Sequence, residues 1–191
     1  MSQIEACYRE PRRVYHTLRH LGECLSWFDE ARDVAARPAE VELAIWFHDA
    51  KFDTRRFDNE ERSAKWAKEV LTAIGAAHEA TKRISNMILA TKHYVEPKGI
   101  DACLLVDIDL AILGAERKRF DDYEQQVRQE YAWVSDEHFW LARRMIIQEF
   151  LRRKRLYRTD FFFERLESAA RSNLECSVDK LGAQSSEDKE N

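Results

Sequence analysis

The sequence predicts an all-α fold, on two observations and a permissive composition. Only five Gly and three Pro occur in 191 residues. A β-rich fold needs a turn every few residues and hence more such punctuation. Between the few breakers run long segments of Ala, Leu, Glu, Lys and Arg, the residues that lose least on entering a helix. Apolar residues make up 45% and charged residues 35%, which is globular composition with enough apolar surface for a buried core.

The elements follow in order. A first helix is expected from about residue 12 to residue 32, opened by Pro11. A second starts at Pro38, a favoured first-turn position, and carries VELAIWFHDA. A polar loop from Asp53 to Asp58 leads to a third helix, from near Asn59 to a stop at Gly75. On it Ala64, Ala67, Leu71 and Ile74 form an apolar stripe. A fourth spans about Ala77 to Tyr94, ending before Pro97. A fifth carries ACLLVDIDLAIL, and a sixth covers roughly Glu116 to Tyr131. Ser135 opens a seventh, with Asp136 and Glu137 where the helix dipole favours them. The last spans about Asp160 to Leu174. With no internal repeat and no linker, residues 1–176 read as one domain, a helical bundle, and residues 177–191 as a polar, disordered tail.

Several function classes are disfavoured. A net charge of −4, from 31 basic and 35 acidic residues, does not suggest general nucleic-acid or anionic-membrane binding. The opening MSQIEACYREPRR has no apolar core of a secretory signal, and no run is long enough to span a membrane. Four Cys (Cys7, Cys24, Cys103, Cys176) lie far apart without a CxxC. That argues against a disulfide framework or thiolate zinc site and fits a reducing, cytoplasmic setting.

Three groups of residues carry chemistry. His16 and His20 stand at i and i+4 in YHTLRH, so on a helix they share one face. A hydrogen-bonded structural pair would look the same. His48-Asp49 follows Ile45, Trp46 and Phe47, and a carboxylate there is costly to bury unless a metal or cation pairs it. Asp107 and Asp109 interrupt CLLVDIDLAIL; about 200° apart on a helix, they cannot easily serve one site. Two imidazoles and two carboxylates suit a divalent ion (Mn, Mg, Fe, Co, Ni or Zn) with open positions for water and substrate.

This ordered set resembles the HD superfamily, and more closely its bacterial group of predicted metal-dependent phosphohydrolases. The stretches that carry the resemblance are EPRRVYHTLRH (Glu10 to His20), FHDAKFD (Phe47 to Asp53), DNEERSA (Asp58 to Ala64), ILATKHY (Ile88 to Tyr94) and DIDLAILG (Asp107 to Gly114), with a weaker RSNL (Arg171 to Leu174). It implies an HD-domain helical bundle and a metal held by His20, His48, Asp49 and Asp109. The YHxxxH spacing is also similar to the helix of cyclic-nucleotide phosphodiesterases. That likeness makes His20 a ligand and His16 the general acid for the leaving oxygen, and Leu110 after Asp109 favours Asp109 over Asp107. The implied activity is hydrolysis of a small phosphorylated metabolite or nucleotide by metal-activated water.

Other residues have two readings. Glu60 falls on the apolar stripe of the third helix, which suggests a role in the site, as base or support; as a helix-start carboxylate it needs none. Glu61 is expected outside, paired with Lys65. Lys92 and His93 are candidates for substrate phosphate or, for His93, a second ion; a plain helix-end cation is the alternative. Arg13 is a candidate phosphate contact or a structural salt bridge. His78 and His138 are expected at the surface, Arg152 to Arg158 at a solvated helix end, and Phe161 to Phe163 in the core. A di-iron oxygenase using His93 and Glu60 as further ligands, and a non-catalytic metal- or nucleotide-binding module, are the rival functions. The sequence does not speak to oligomeric state.

Overall fold

The computed structural model describes residues 3–93 and 96–187, with side chains through 180. Among the described residues there are nine α-helices and no strand, as the composition predicts. They are α1 (Gln3–Tyr8), α2 (Leu18–Ala31), α3 (Pro38–Phe47), α4 (Asn59–Ala73), α5 (His78–Ala90), α6 (Ile100–Asp109), α7 (Arg117–Glu130), α8 (Asp136–Arg152) and α9 (Asp160–Glu187). Short 3₁₀ turns lie at Arg32–Val34 and Leu110–Gly114. Among the described residues no helix is long and apolar enough to cross a membrane. The sequence reads as one domain; the backbone contacts gather into two compact units, Met1–Asp109 and Leu110–Asn191.

The first unit is organised around α3, which packs against α2, α4, α5 and α6. Val41, Ala44, Ile45 and Phe47 are buried on it, as expected of a helix that meets neighbours on several sides. α4 buries Ala64, Ala67 and Leu71 and forms a hairpin with α5. Ile74 does not continue the stripe: it is the C-cap and is exposed. Gly75 takes φ +78°, and the bonds Ala76 N–H to Leu71 O (2.9 Å) and Gly75 N–H to Thr72 O (3.0 Å) close α4 in a Schellman motif. α5 ends at Ala90, before the expected boundary, and Tyr94 lies outside the described residues.

In the second unit α7, α8 and α9 pack with the 3₁₀ turn at Leu110–Gly114. Gly114 is required there: a Cβ would stand 2.7 Å from the Cβ of Leu166. The RSNL residues are structural. Arg171 donates to the carbonyls of Leu151 and Arg153 and to Glu167, while Asn173 donates to Leu113 O and Ala115 O. Glu167 in turn accepts from the N–H groups of Leu156 and Tyr157. Of the aromatic triplet, Phe162 is buried and its two neighbours are half-buried. The helix expected to end near Leu174 runs on to Glu187, so residues 177–187, read as part of a disordered tail, are helical: Ser177 is buried and donates to Glu124 Oε2 at 2.9 Å, while residues 188–191 lie outside the described residues.

The start of the chain also departs from expectation. An additional helix, α1, buries Tyr8, and α2 begins at Leu18 rather than near residue 12. Arg13 is the reason. Its side chain is wholly buried, and its guanidinium donates to Asp49 O (2.7 Å), Ala50 O (3.1 Å) and His16 O (3.1 Å). This holds residues 10–16 as a turn across the end of α3. Thr17 then caps α2, accepting from Arg19 N–H.

Candidate metal centre

The candidate ligands come from three chain segments that end at one place. His20 lies in the first turn of α2, His48 is the C-cap of α3, Asp49 follows it in the turn, and Asp109 is the last residue of α6. His48-Asp49 therefore sits at a helix end and not inside the helix. There the chain can turn both side chains the same way, which an uninterrupted helix would separate by about 100°.

Their donor atoms converge. His20 Nε2 is 3.1 Å from His48 Nε2, 3.4 Å from Asp49 Oδ2 and 3.4 Å from Asp109 Oδ1. His48 Nε2 is 3.2 Å from Asp49 Oδ2 and 3.6 Å from Asp109 Oδ1. Two ligands bound at about 2.1 Å to one ion stand about 3.0 Å apart at a right angle and about 3.4 Å apart at a tetrahedral angle. Four of the five separations fall in that range, and the fifth, His48 to Asp109 at 3.6 Å, lies just beyond it. Both imidazoles are buried, and the carboxylates are only 14% and 16% exposed.

Proton bookkeeping fits a cation as well. His48 Nδ1 lies 2.7 Å from Ile45 O and must donate to it, so in the neutral ring Nε2 carries a lone pair. That lone pair points at another ring nitrogen and two carboxylates, an arrangement that needs either protons or a metal ion between the groups. Without an ion the site holds protons. Burial alone would lower both imidazoles; for His20 the thiol of Cys24, Tyr15 and the two carboxylates outweigh it, and for His48 chiefly Asp49. Both rings titrate well above the usual imidazole range. Burial would raise Asp49 and Asp109, but the histidines hold both carboxyls well below their usual range.

Cys24, one turn beyond His20, is a residue the sequence analysis did not place in the site. His20, Cys24, His48 and Asp109 each offer a ligand atom within 4.8 Å of the others, and this buried group could hold a metal ion. The sulfur lies 3.7 Å from His20 Nε2 and 3.8 Å from Nδ1, alongside the ring rather than in line with either lone pair. The signal that could have found it is its i+4 spacing from His20. Tyr8 was missed too: its phenol donates to Trp46 O at 3.2 Å, and burial pushes its pKa up to about 12.

The remaining candidates separate. His16 lies in the turn before α2, so the helical i, i+4 relation to His20 does not hold. It still reaches the centre: Nε2 is 3.9 Å from Asp49 Oδ2, and the ring stacks on Phe52 at 3.9 Å. His93 Nε2 is 3.1 Å from Asp109 Oδ2, and its backbone adopts φ +59°, a left-handed conformation uncommon for a non-glycine residue. Of the two aspartates of α6, Asp109 is the one whose carboxylate reaches His20 and His48, and Asp107 is fully buried within the helix. Glu60 is half-buried, and burial, with the charge of Asp49 acting the same way, holds its carboxyl above the usual range. Glu61 is exposed but pairs with Lys92, not Lys65, which reaches Glu69 instead at 3.9 Å. Lys92 is therefore engaged by Glu61 and the carbonyl of Phe57. Arg13, with its fork spent on three carbonyls, cannot meet a substrate phosphate. His78 and His138 are at the surface as expected.

The polar loop before α4 is fixed by buried side chains of α4. Asn59 exchanges two 3.0 Å bonds with the backbone of Asp53, and Ser63 Oγ accepts from Lys51 N–H at 3.0 Å. A separate hollow of about 570 Å³ lies around the opposite end of α6, lined by Arg37, Arg83, Met87, Lys98 and Ile100 among others; none of the candidate ligands lines it. Compared with family models, curated proteins and solved structures, the chain gives no match.

Proposed function

We propose that this chain is a metal-dependent phosphohydrolase that cleaves an ester or anhydride of a small phosphorylated metabolite or nucleotide, with a divalent ion on His20, His48, Asp49 and Asp109. The observation that carries this reading is the convergence of two imidazole nitrogens and two carboxylate oxygens at separations of 3.1–3.6 Å. A divalent ion bound there supplies Lewis acidity toward a phosphoryl oxygen and lowers the pKa of water.

The chain's own groups supply the rest. Ile45 O fixes the tautomer and orientation of His48. His93 holds the second oxygen of Asp109, which makes it a positioning residue rather than a substrate contact. His16, about one-fifth exposed and near Asp49, can hold a proton at Nε2 and deliver it to a leaving oxygen entering from solvent. Glu60, with its raised carboxyl, suits orienting water on the Asp49 side. The four cysteines, far apart in the sequence and without a CxxC, suit a reducing, cytoplasmic setting.

The test is metal analysis of the purified chain, followed by a phosphate-release screen with added Mn, Mg, Co and Ni. His48→Ala and Asp49→Ala are expected to lose metal and activity while keeping a helical circular-dichroism spectrum. Normal metal content in both variants would overturn the assignment. Two irons per chain with oxygen consumption would replace it by a di-iron oxygenase.

A further inference from the structure

We propose that the outer face of α8 is where a second copy of this chain docks, forming a two-fold symmetric antiparallel helix pair. Phe139, Ile147 and Phe150 face inward from α8, which packs on α9. The outer face carries Leu141, Met145 and Ile146, which are 60%, 63% and 48% exposed, with Ala142 exposed between them. Large apolar side chains at such exposure, contiguous on one helix, are unusual for a surface and typical of an interface, where Met and aromatic residues concentrate. Trp133, in the turn before the helix, is also exposed.

The arrangement of this face selects a second copy as the occupant. Residues 141, 142, 145 and 146 are symmetric about the point between 143 and 144, close to the middle of α8 (Asp136–Arg152). Two copies of α8 antiparallel about that point place Ala142 against Met145, twice over, with Leu141 and Ile146 on the two flanks of that contact. The small Ala142 lets the axes approach where the longer Met145 needs room. The same operation sets His138 opposite Glu149, both of them exposed. It also brings the acidic first turn, Asp136 and Glu137, near the basic last turn of the other copy, where Arg152 is followed by Arg153 and Lys154. An isologous contact must be self-complementary, and this helix is so in shape and in charge. Antiparallel dipoles add to the match. The stripe of residues 138, 141, 142, 145, 149 and 152 has the spacing of a two-helix seam.

The test uses the full chain in sedimentation velocity and light scattering from roughly 1 to roughly 100 µM, a range suited to a small helix–helix interface. A dimer that dissociates on dilution is expected. Met145→Glu places two carboxylates beside the two-fold axis and should weaken association about 100-fold or more, with unchanged helicity. Leu141→Glu serves as a second probe should that variant misfold. Glu137→Lys and Arg152→Glu alone each put like charges across the pair and should weaken it about 3- to 10-fold. The double variant restores opposite charges and should recover most of the loss. A wild-type monomer at the highest concentration, a dimer indifferent to both glutamate substitutions, or failure of the double variant to recover would each overturn the proposal.

Discussion

Arg13→Ala separates a pillar of the fold from a substrate contact. The Arg13 side chain is fully buried and donates to three carbonyls, at 2.7, 3.1 and 3.1 Å. Its guanidinium also lies over the rings of Tyr8 and Phe52, at 5.2 and 5.6 Å from their centroids. Glu10 stands 3.6 Å away but is 36% exposed, so its share is screened and small. The main loss is three charge-assisted hydrogen bonds to groups left in a cavity without partners. Each is worth about 1.5–3 kcal/mol, and because they share one donor group the losses do not add. A net cost of about 3–5 kcal/mol is expected, comparable to removing one partner of a buried ionic contact. Against a typical stability of about 5–15 kcal/mol this is a large fraction. The assay is urea unfolding followed by far-ultraviolet circular dichroism, with metal content measured alongside. Since Arg13 holds the carbonyl of Asp49, metal retention should weaken in parallel with stability. Arg13→Lys should recover little, because one ammonium cannot span the three acceptors. A phosphate-binding arginine would behave in the opposite way, with unaltered unfolding and a raised KM. Stability of Arg13→Ala within about 0.5 kcal/mol of wild type, the range of an ordinary surface change, would refute the structural role.

Four further outcomes are expected. Asp109→Asn loses metal, whereas Asp107→Asn keeps it while lowering stability through its full burial; metal content of the two purified variants decides. His16→Ala retains metal but loses about 10²–10⁴-fold in turnover, with the deficit greatest for poor leaving groups; equal loss for good and poor leaving groups would exclude it as the acid. Glu60→Gln lowers turnover with metal unchanged, while Glu61→Gln breaks only the exposed pair with Lys92 and shifts stability by about 0.2–1 kcal/mol, as kinetics and melting curves of both variants show. Metal binding releases protons. His20 and His48 are raised above their ordinary value, so their contribution to the stability of the metal-free fold is full below about pH 6.5 and fades as pH rises through their folded values. The rise in melting temperature on adding Mn or Zn therefore grows with pH above that point; calorimetry in buffers of different ionisation enthalpy counts the protons, and a pH-independent increment contradicts the assignment.

Much of this protein was legible in its sequence because local rules decide it. The scarcity of Gly and Pro determined the helical class, Gly75 the stop of α4, and Pro38 the start of α3. The types of the metal-binding candidates were legible too, since His and Asp inside apolar surroundings are costly unless something satisfies them. Only the tertiary structure decided how they meet. His16 and His48 were assigned to helices by periodicity, yet one precedes α2 and the other ends α3. The cause is the buried Arg13, whose side chain reaches carbonyls 36 and 37 residues away, a contact that no window along the chain contains. Asp109 and Asp107 differ by two positions and look alike in sequence. Which of them faces His20 and His48 is set by the rotation of α6 against α2 and α3, and that rotation is fixed by the packing of their whole apolar faces rather than by either carboxylate.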